Sequence, residues 1–258
     1  MFFKSKFCPN IIFLYAIGLS HHAWAGGMAT EQDLNHWKPL IGLSAGPTWA
    51  SANKTQTFNL QPDVQKTYVA NHNNATFVTA ELFLAGQKLL HPRLLTQPVM
   101  GQVGLVVAWS GDADLSGDVW EDANPNFNNF NYAYKMNHTY VALQGRLLGA
   151  FDYMLEPYIS GSLGVGFNRA YNYSETPKIP EEVPAPSFAG HTKTAFSYTL
   201  GVGLQKSIAS HLQAAVGYEF SDWGQNQLAR AAGQTLNQGL SSAHMYAQQV
   251  QCSLFYFI

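Results

Sequence analysis

The sequence predicts an all-β chain, an eight-stranded antiparallel up-and-down transmembrane β-barrel with four long extracellular loops and short periplasmic turns. Three observations carry that expectation. Only 12% of the 258 residues are charged, against roughly 25% in soluble domains, while aromatics reach 14%. Beyond the N-terminus the apolar residues never run together but alternate with Gly, Ser, Thr, Asn and Gln. The segments built this way are joined alternately by long and short connections.

Scanning for period two gives segments at 37–50, 76–86, 98–110, 133–148, 156–170, 193–206, 210–222 and 243–258. Each reaches the roughly 9–11 tilted residues that span a bilayer. The first sets Ile41, Leu43, Ala45, Pro47 and Trp49 against Gly42, Ser44, Gly46 and Thr48. In the third Val99, Val103, Leu105, Val107 and Trp109 point outward, and in the fifth Ile159, Leu163, Val165 and Phe167. The sixth and seventh alternate most regularly, with Phe196, Tyr198, Leu200, Val202 and Leu204 on one outward face and Leu212, Ala214, Val216, Tyr218 and Phe220 on the other. Connections 51–75, 111–132, 171–192 and 223–242 are long and those near 149–155 and 207–209 short, with the connection around Lys88 to Gln97 intermediate. In such barrels the long loops face outside. The long loops, rich in Asn, Gly, Ser, Asp and Pro, read as partly disordered surface segments.

The N-terminus carries Lys4 and Lys6, an apolar run IIFLYAIGL at 11–19, and Ala23-Trp24-Ala25, the pattern of a secretory signal peptide cleaved after Ala25. The mature barrel domain is then 26–258. Nine apolar residues are too few for a membrane helix. With Lys4 and Lys6 gone, 12 of the 14 basic residues remain against 16 acidic ones, a net charge of about −4 that excludes an electrostatic nucleic-acid partner. Cys8 leaves with the signal, so Cys252 has no partner for an internal disulfide.

Parity places Trp49, Trp109, Phe167 and Phe220 at the outward ends of the odd-numbered strands as an outer aromatic girdle, with Trp37 and Tyr256 at the inner one. Inward mid-strand positions carry Glu81, Gln102, Gln144, Arg146, Gln205, Gln213, Glu219 and Gln251. An eight-stranded barrel is narrow enough for side chains to fill it. The expectation is therefore a polar plug in which Arg146 bridges Glu81 and Glu219. The nine histidines show no ligand spacing, and no phosphate loop, nucleophile elbow or cysteine metal motif occurs, so neither a cofactor nor a catalytic set is expected. The second loop, with Asp112, Asp114, Asp118, Glu121 and Asp122, offers oxygens to calcium as an alternative to a solvated acidic loop. Pro177, Pro180, Pro184 and Pro186 stiffen the third loop as a recognition strip or a spacer.

The signal peptide, the Gly-rich pair SYTLGVGLQKS and HLQAAVGYEF, and the last strand AQQVQCSLFYFI together resemble the small outer-membrane β-barrel family of OmpA-type transmembrane domains and opacity-type surface proteins. In that family the final strand ends in Phe. Val250, Cys252, Leu254 and Tyr256 follow the pattern, and Ile258 departs from it. The resemblance implies a Gram-negative outer-membrane protein that contacts outer-membrane lipid, lipopolysaccharide and the barrel-assembly machinery, and meets host-surface molecules through its loops. Because the sequence ends with its last strand, the expectation is a barrel without the separate peptidoglycan-binding domain of OmpA-type proteins. The expected function is a non-enzymatic surface scaffold or adhesin-like protein. The alternatives are a narrow porin or solute channel, a lipid-modifying enzyme, and, in fold, a soluble lipocalin-like barrel with apolar residues inside.

Overall fold

A computed structural model describes residues 36–51, 54–71, 75–94, 97–149 and 155–258. The signal-peptide expectation, with Ala23 and Ala25, lies outside these residues.

Thirteen strands are described: β1 (Lys38–Ser51), β2 (Gln56–Gln61), β3 (Val64–Ala70), β4 (Ala75–Leu94), β5 (Gln97–Ser110), β6 (Ala113–Glu121), β7 (Asn128–Gly149), β8 (Glu156–Pro177), β9 (His191–Ala209), β10 (Leu212–Asp222), β11 (Asn226–Gln227), β12 (Ser241–Ser242) and β13 (Tyr246–Phe257). Eight of them close a ring by antiparallel pairing, in the order β1-β4-β5-β7-β8-β9-β10-β13 and back to β1. The ladder between β1 and β13 joins Leu40 to Phe257 and Ser51 to Tyr246, so the barrel has no open edge.

These staves are the eight alternating segments of the sequence, several of them longer than periodicity suggested. β4 and β5 continue as a paired ribbon to Leu94 and Gln97, with register shifts at Leu89/His91 and His91/Leu94. The intermediate connection around Lys88 is therefore mostly strand.

The outer wall settles which solvent the barrel meets. Each stave exposes an aliphatic side chain there: Leu43, Leu84, Leu105, Leu143, Leu163, Leu200, Val216 and Leu254 are 48–62% exposed. The opposite parity is buried and largely polar, including Thr48, Glu81, Gln102, Gln144, Ser162, Gln205, Glu219 and Gln251. A lipocalin-like protein has the reverse distribution. An apolar wall around a polar interior is the signature of a barrel standing in lipid. No described helix is long and apolar enough to cross a membrane, and the strands cross instead.

Two of the long loops differ from the irregular segments expected of them. In the first, β2 and β3 form a hairpin, and in the second β6 pairs with both β3 and the outer half of β7. β7 and β8, 22 residues each, rise together beyond the wall and carry this extension. β6 escaped notice because its outward positions are Asp114, Ser116 and Asp118, turn-forming types that mask the alternation of buried Ala113, Leu115, Gly117 and Val119. The outer edge, β2, is covered by the fourth loop: the backbone N–H groups of Thr235 and Leu236 donate to the Leu60 carbonyl, and Asn237 Nδ2 donates to the Asn59 carbonyl.

Candidate functional site

The interior is stacked in three layers, each set by inward residues of several staves. The periplasmic layer is apolar and aromatic, with Leu40, Phe83, Leu148, Tyr158 and Phe255 packed together. The Tyr158 ring crosses Gly203 and Gly217, where a Cβ would lie 2.6 and 2.1 Å from its atoms. Glycine is needed at these positions for close approach. Arg146 enters this layer, its guanidinium centred 4.0 Å from the Tyr158 ring and 4.3 Å from the Phe255 ring. Its Nη1 donates to Gln102 Oε1 at 3.5 Å, and Gln102 Nε2 donates to Gln87 Oε1 at 2.8 Å. Gln205 donates to Gln213 at 2.5 Å, and Gln213 to Ser207 at 3.2 Å.

The expected bridge from Arg146 to both glutamates is not formed. Among the described residues neither carboxylate has a cation within the 4.0 Å of an ion pair, while six other ion pairs occur elsewhere. Two aromatic faces hold the planar guanidinium one layer below the carboxylates, an arrangement that suits Arg because its charge is delocalised and weakly hydrated.

The central layer is polar. Glu81, Glu219, Gln144 and Gln249 surround a cavity of about 20 Å³, room for roughly one water, together with Thr48, Thr79, Tyr140, Ser162, Thr199 and Ser221. Hydroxyls link in short runs: Thr48 donates to Thr79 at 2.8 Å, and Tyr140, Ser162 and Thr199 join at 2.8 and 2.6 Å. Ser221 donates to Glu219 at 3.4 Å. Gln251 is buried beside this layer, and its Oε1 has no partner.

The third layer is an extracellular cap that sequence reasoning missed. Residues from all four long connections build an apolar core of their own, in which Tyr68, Phe130, Tyr132, Tyr173 and Phe188 are buried and Phe58 packs at its margin. Ring centroids lie 4.8–6.3 Å apart across Phe58, Tyr68, Tyr132, Tyr173 and Phe188. Burial pushes the phenol groups of Tyr68, Tyr132, Tyr134 and Tyr173 well above their ordinary value of 10. Lys66, also buried, pairs with Glu121 at 3.5 Å and Glu175 at 3.6 Å and lies over the Phe130 ring.

Trp223 joins cap to lumen. Its indole lies parallel to the His138 ring at 4.3 Å, and its carbonyl accepts from Asn168 Nδ2 and from Ser197. Asn168 Nδ2 also donates to Gln225, which leaves Oδ1 as acceptor, so His138 Nδ1 carries the hydrogen in their 2.6 Å contact. No signal read from the sequence pointed here, since His138 is one of the histidines without ligand spacing.

The carboxylates of the second loop do not converge. Asp112 and Asp114 face Lys135, Asp118 pairs with Lys178 at 2.9 Å, and Glu121 pairs with Lys66. Among the described residues no three His, Cys, Asp or Glu side chains gather as a metal site. A hydrogen bond from Tyr171 is the main cause holding the Asp112 carboxyl below its usual value.

Trp37, Trp49, Trp109, Phe167, Phe220 and Tyr256 all lie on the outer wall. Trp49 and Phe220 sit on either side of Gln248 in the ladder, and Trp109 and Phe167 on either side of Thr139. Phe220 stacks on Tyr246, an outer-wall ring that parity reading overlooked. Trp37 covers Gly86 at the inner end.

Fold and wall together define an integral membrane β-barrel of the outer-membrane type. No family model matches the chain, and no curated protein matches it in sequence. Among solved structures it is similar to Neisserial surface protein A, at 7% identity and TM-score 0.45 over 85% of this chain and 97% of that one. It is similar also to OprG from Pseudomonas aeruginosa, at 10% and 0.46 over 87% and 99%. A third likeness is to the protease OmpT from Escherichia coli, at 9% and 0.45 over 88% and 100%. The barrel assignment rests on the closed ladder and the lipid-facing wall, not on these likenesses.

Proposed function

We propose that the chain is a non-enzymatic, non-conducting surface protein of the outer membrane whose folded extracellular cap is its interaction surface. The observation that carries this reading is the three-layer filling of the lumen. Between an aromatic floor and an apolar cap, the polar middle layer leaves a cavity with space for about one water, where a channel needs a continuous path. The cap supports the rest of the reading, because it is a folded platform with its own core and a covered edge. The third loop is pinned to it at both ends. Lys178 bonds Asp118 and Asn128, while Phe188 is buried in the core. The stretch between presents Ile179 and, at 83% exposure, Val183 on a proline-stiffened strip. That is a preorganised contact surface of the kind loops on a rigid scaffold supply.

The test has two parts. Full-length protein in planar bilayers is expected to give no stepwise conductance; reproducible unitary openings would favour the narrow-channel alternative. Cells displaying the chain are expected to lose adhesion to neighbouring cells or host surfaces when residues 179–187 are replaced by a Gly-Ser linker. Equal adhesion would remove the strip from the reading. A changed lipid A mass spectrum on overexpression would favour the enzymatic alternative.

A further inference from the structure

A hydrogen-bond relay inside the barrel ends at its inner mouth. Arg146 can only donate, so Gln102 turns its oxygen toward Nη1 and its nitrogen away. That nitrogen donates to Gln87 Oε1 at 2.8 Å, which fixes the Gln87 amide with Nε2 as the last donor of the chain. Gln87 is 5% exposed, and among the described residues its Nε2 meets only the Met100 thioether at 3.7 Å, a weak acceptor. The relay starts at a guanidinium and each amide polarises the next, so the terminal N–H is a stronger donor than a lone glutamine supplies. A buried donor of this kind calls for a full acceptor.

Gln87 and Met100 line a hollow of about 400 Å³ that opens at the inner end of the barrel. Lys38 lines it too, and stands directly opposite Gln87 in the ladder between β1 and β4. Opposite residues leave a sheet on the same face about 5 Å apart, which brings the ammonium and the amide to one spot. Among the described residues Lys38 is in no ion pair. Ser210 adds a hydroxyl, while Trp37, Met100 and Phe257 add apolar surface.

We propose that this hollow binds a small organic monocarboxylate. One ammonium matches one negative charge, and the two oxygens of a carboxylate can accept from Lys38 Nζ and Gln87 Nε2 at once. The rings and the thioether cover the carbon portion, the usual division of labour in a small-molecule site. An inorganic anion would leave those walls without a partner. The site lies at the opposite end of the barrel from the cap and is independent of it.

The experiment titrates the full mature chain, in nanodiscs of uncharged lipid at fixed pH and ionic strength, with sodium benzoate, N-acetylphenylalanine, or benzamide as the neutral counterpart. Binding is read from the side-chain amide NMR signal of Gln87, assigned with Gln87→Met. The carboxylates are expected to move that signal downfield saturably, and benzamide to leave it in place. Tighter binding of N-acetylphenylalanine would assign the carboxylate to a peptide terminus, and tighter binding of benzoate to a free acid. Lys38→Gln, at an exposed strand end, should weaken binding about five- to tenfold with the heat-modifiable gel shift retained. No saturable shift with either carboxylate, equal binding of benzamide, or unchanged affinity in Lys38→Gln would each overturn the proposal.

Discussion

Replacing Trp223 by Ala tests whether the cap is a unit separate from the barrel. The indole is 5% exposed, lies parallel to His138 at 4.3 Å and meets Phe77 at 5.6 Å. Removing a buried Trp costs about 3–5 kcal/mol through lost contacts and the cavity left behind. The backbone carbonyl that holds Asn168 and Ser197 survives the substitution, so the lower end of that range is expected. At about 1.4 kcal/mol per decade, the cap should open at least roughly 100-fold more often. The rings it meets belong to β4 and β7, but the backbone ladder of the eight staves does not run through the indole, so the cost is expected to fall mainly on the cap. Hydrogen exchange of the full-length protein is the assay. Amides of Leu228 and Ala229, bonded to the Leu240 and Ala189 carbonyls, should lose protection by about two orders of magnitude. Amides of β9 and β10 facing lipid should keep theirs, and the heat-modifiable gel shift should be unchanged. Equal loss of protection in both regions would refute the separation of cap and barrel. Unchanged protection at Leu228 would refute the role of Trp223 in joining cap to lumen.

Burial raises the folded values of Tyr68, Tyr132, Tyr134 and Tyr173 above the unfolded value of 10, so their contribution to cap stability is fully present below pH 10 and lost as pH rises through the folded values. Absorbance titration should show these four phenols ionising late and together with cap opening; four tyrosines titrating independently near 10 would contradict it. Lys66→Met should cost the cap about 3–5 kcal/mol by stranding Glu175, whose side chain is 2% exposed, and Glu175→Gln in the same chain should restore most of that stability in denaturant unfolding. No restoration would mean that Lys66 acts through packing on Phe130. Gly217→Ala should displace Tyr158 from its seat and lower stability by about 1–3 kcal/mol, read as an earlier heat-modification midpoint, whereas an unchanged midpoint would show that the ring has room to move.

Much of the barrel was legible because period two survives wherever one face meets lipid and the other a packed lumen. The runs from Phe196 to Gln205 and from Leu212 to Phe220 show it in full, and the last strand shows it in Val250, Cys252, Leu254 and Tyr256. A register slip by one residue would turn every one of these side chains to the wrong solvent. The identities of Glu81, Arg146 and Glu219 as inward charges followed from the same parity.

Their partners did not follow, because parity assigns a residue to a face and says nothing of what stands across the lumen. Phe255 reaches Arg146 from the far side of the ring, on β13, a strand that shares no ladder with β7. The cap was hidden for a related reason: its core is assembled from four connections far apart in sequence, each carrying too few apolar residues to bury a face alone. The sequence by itself determined the staves, their faces and the solvent each face meets, all of which are local properties of alternation. Only closure of the barrel decided that Arg146 would lie between two rings, that two glutamates would share an unfilled space, and that the loops would fold shut above them.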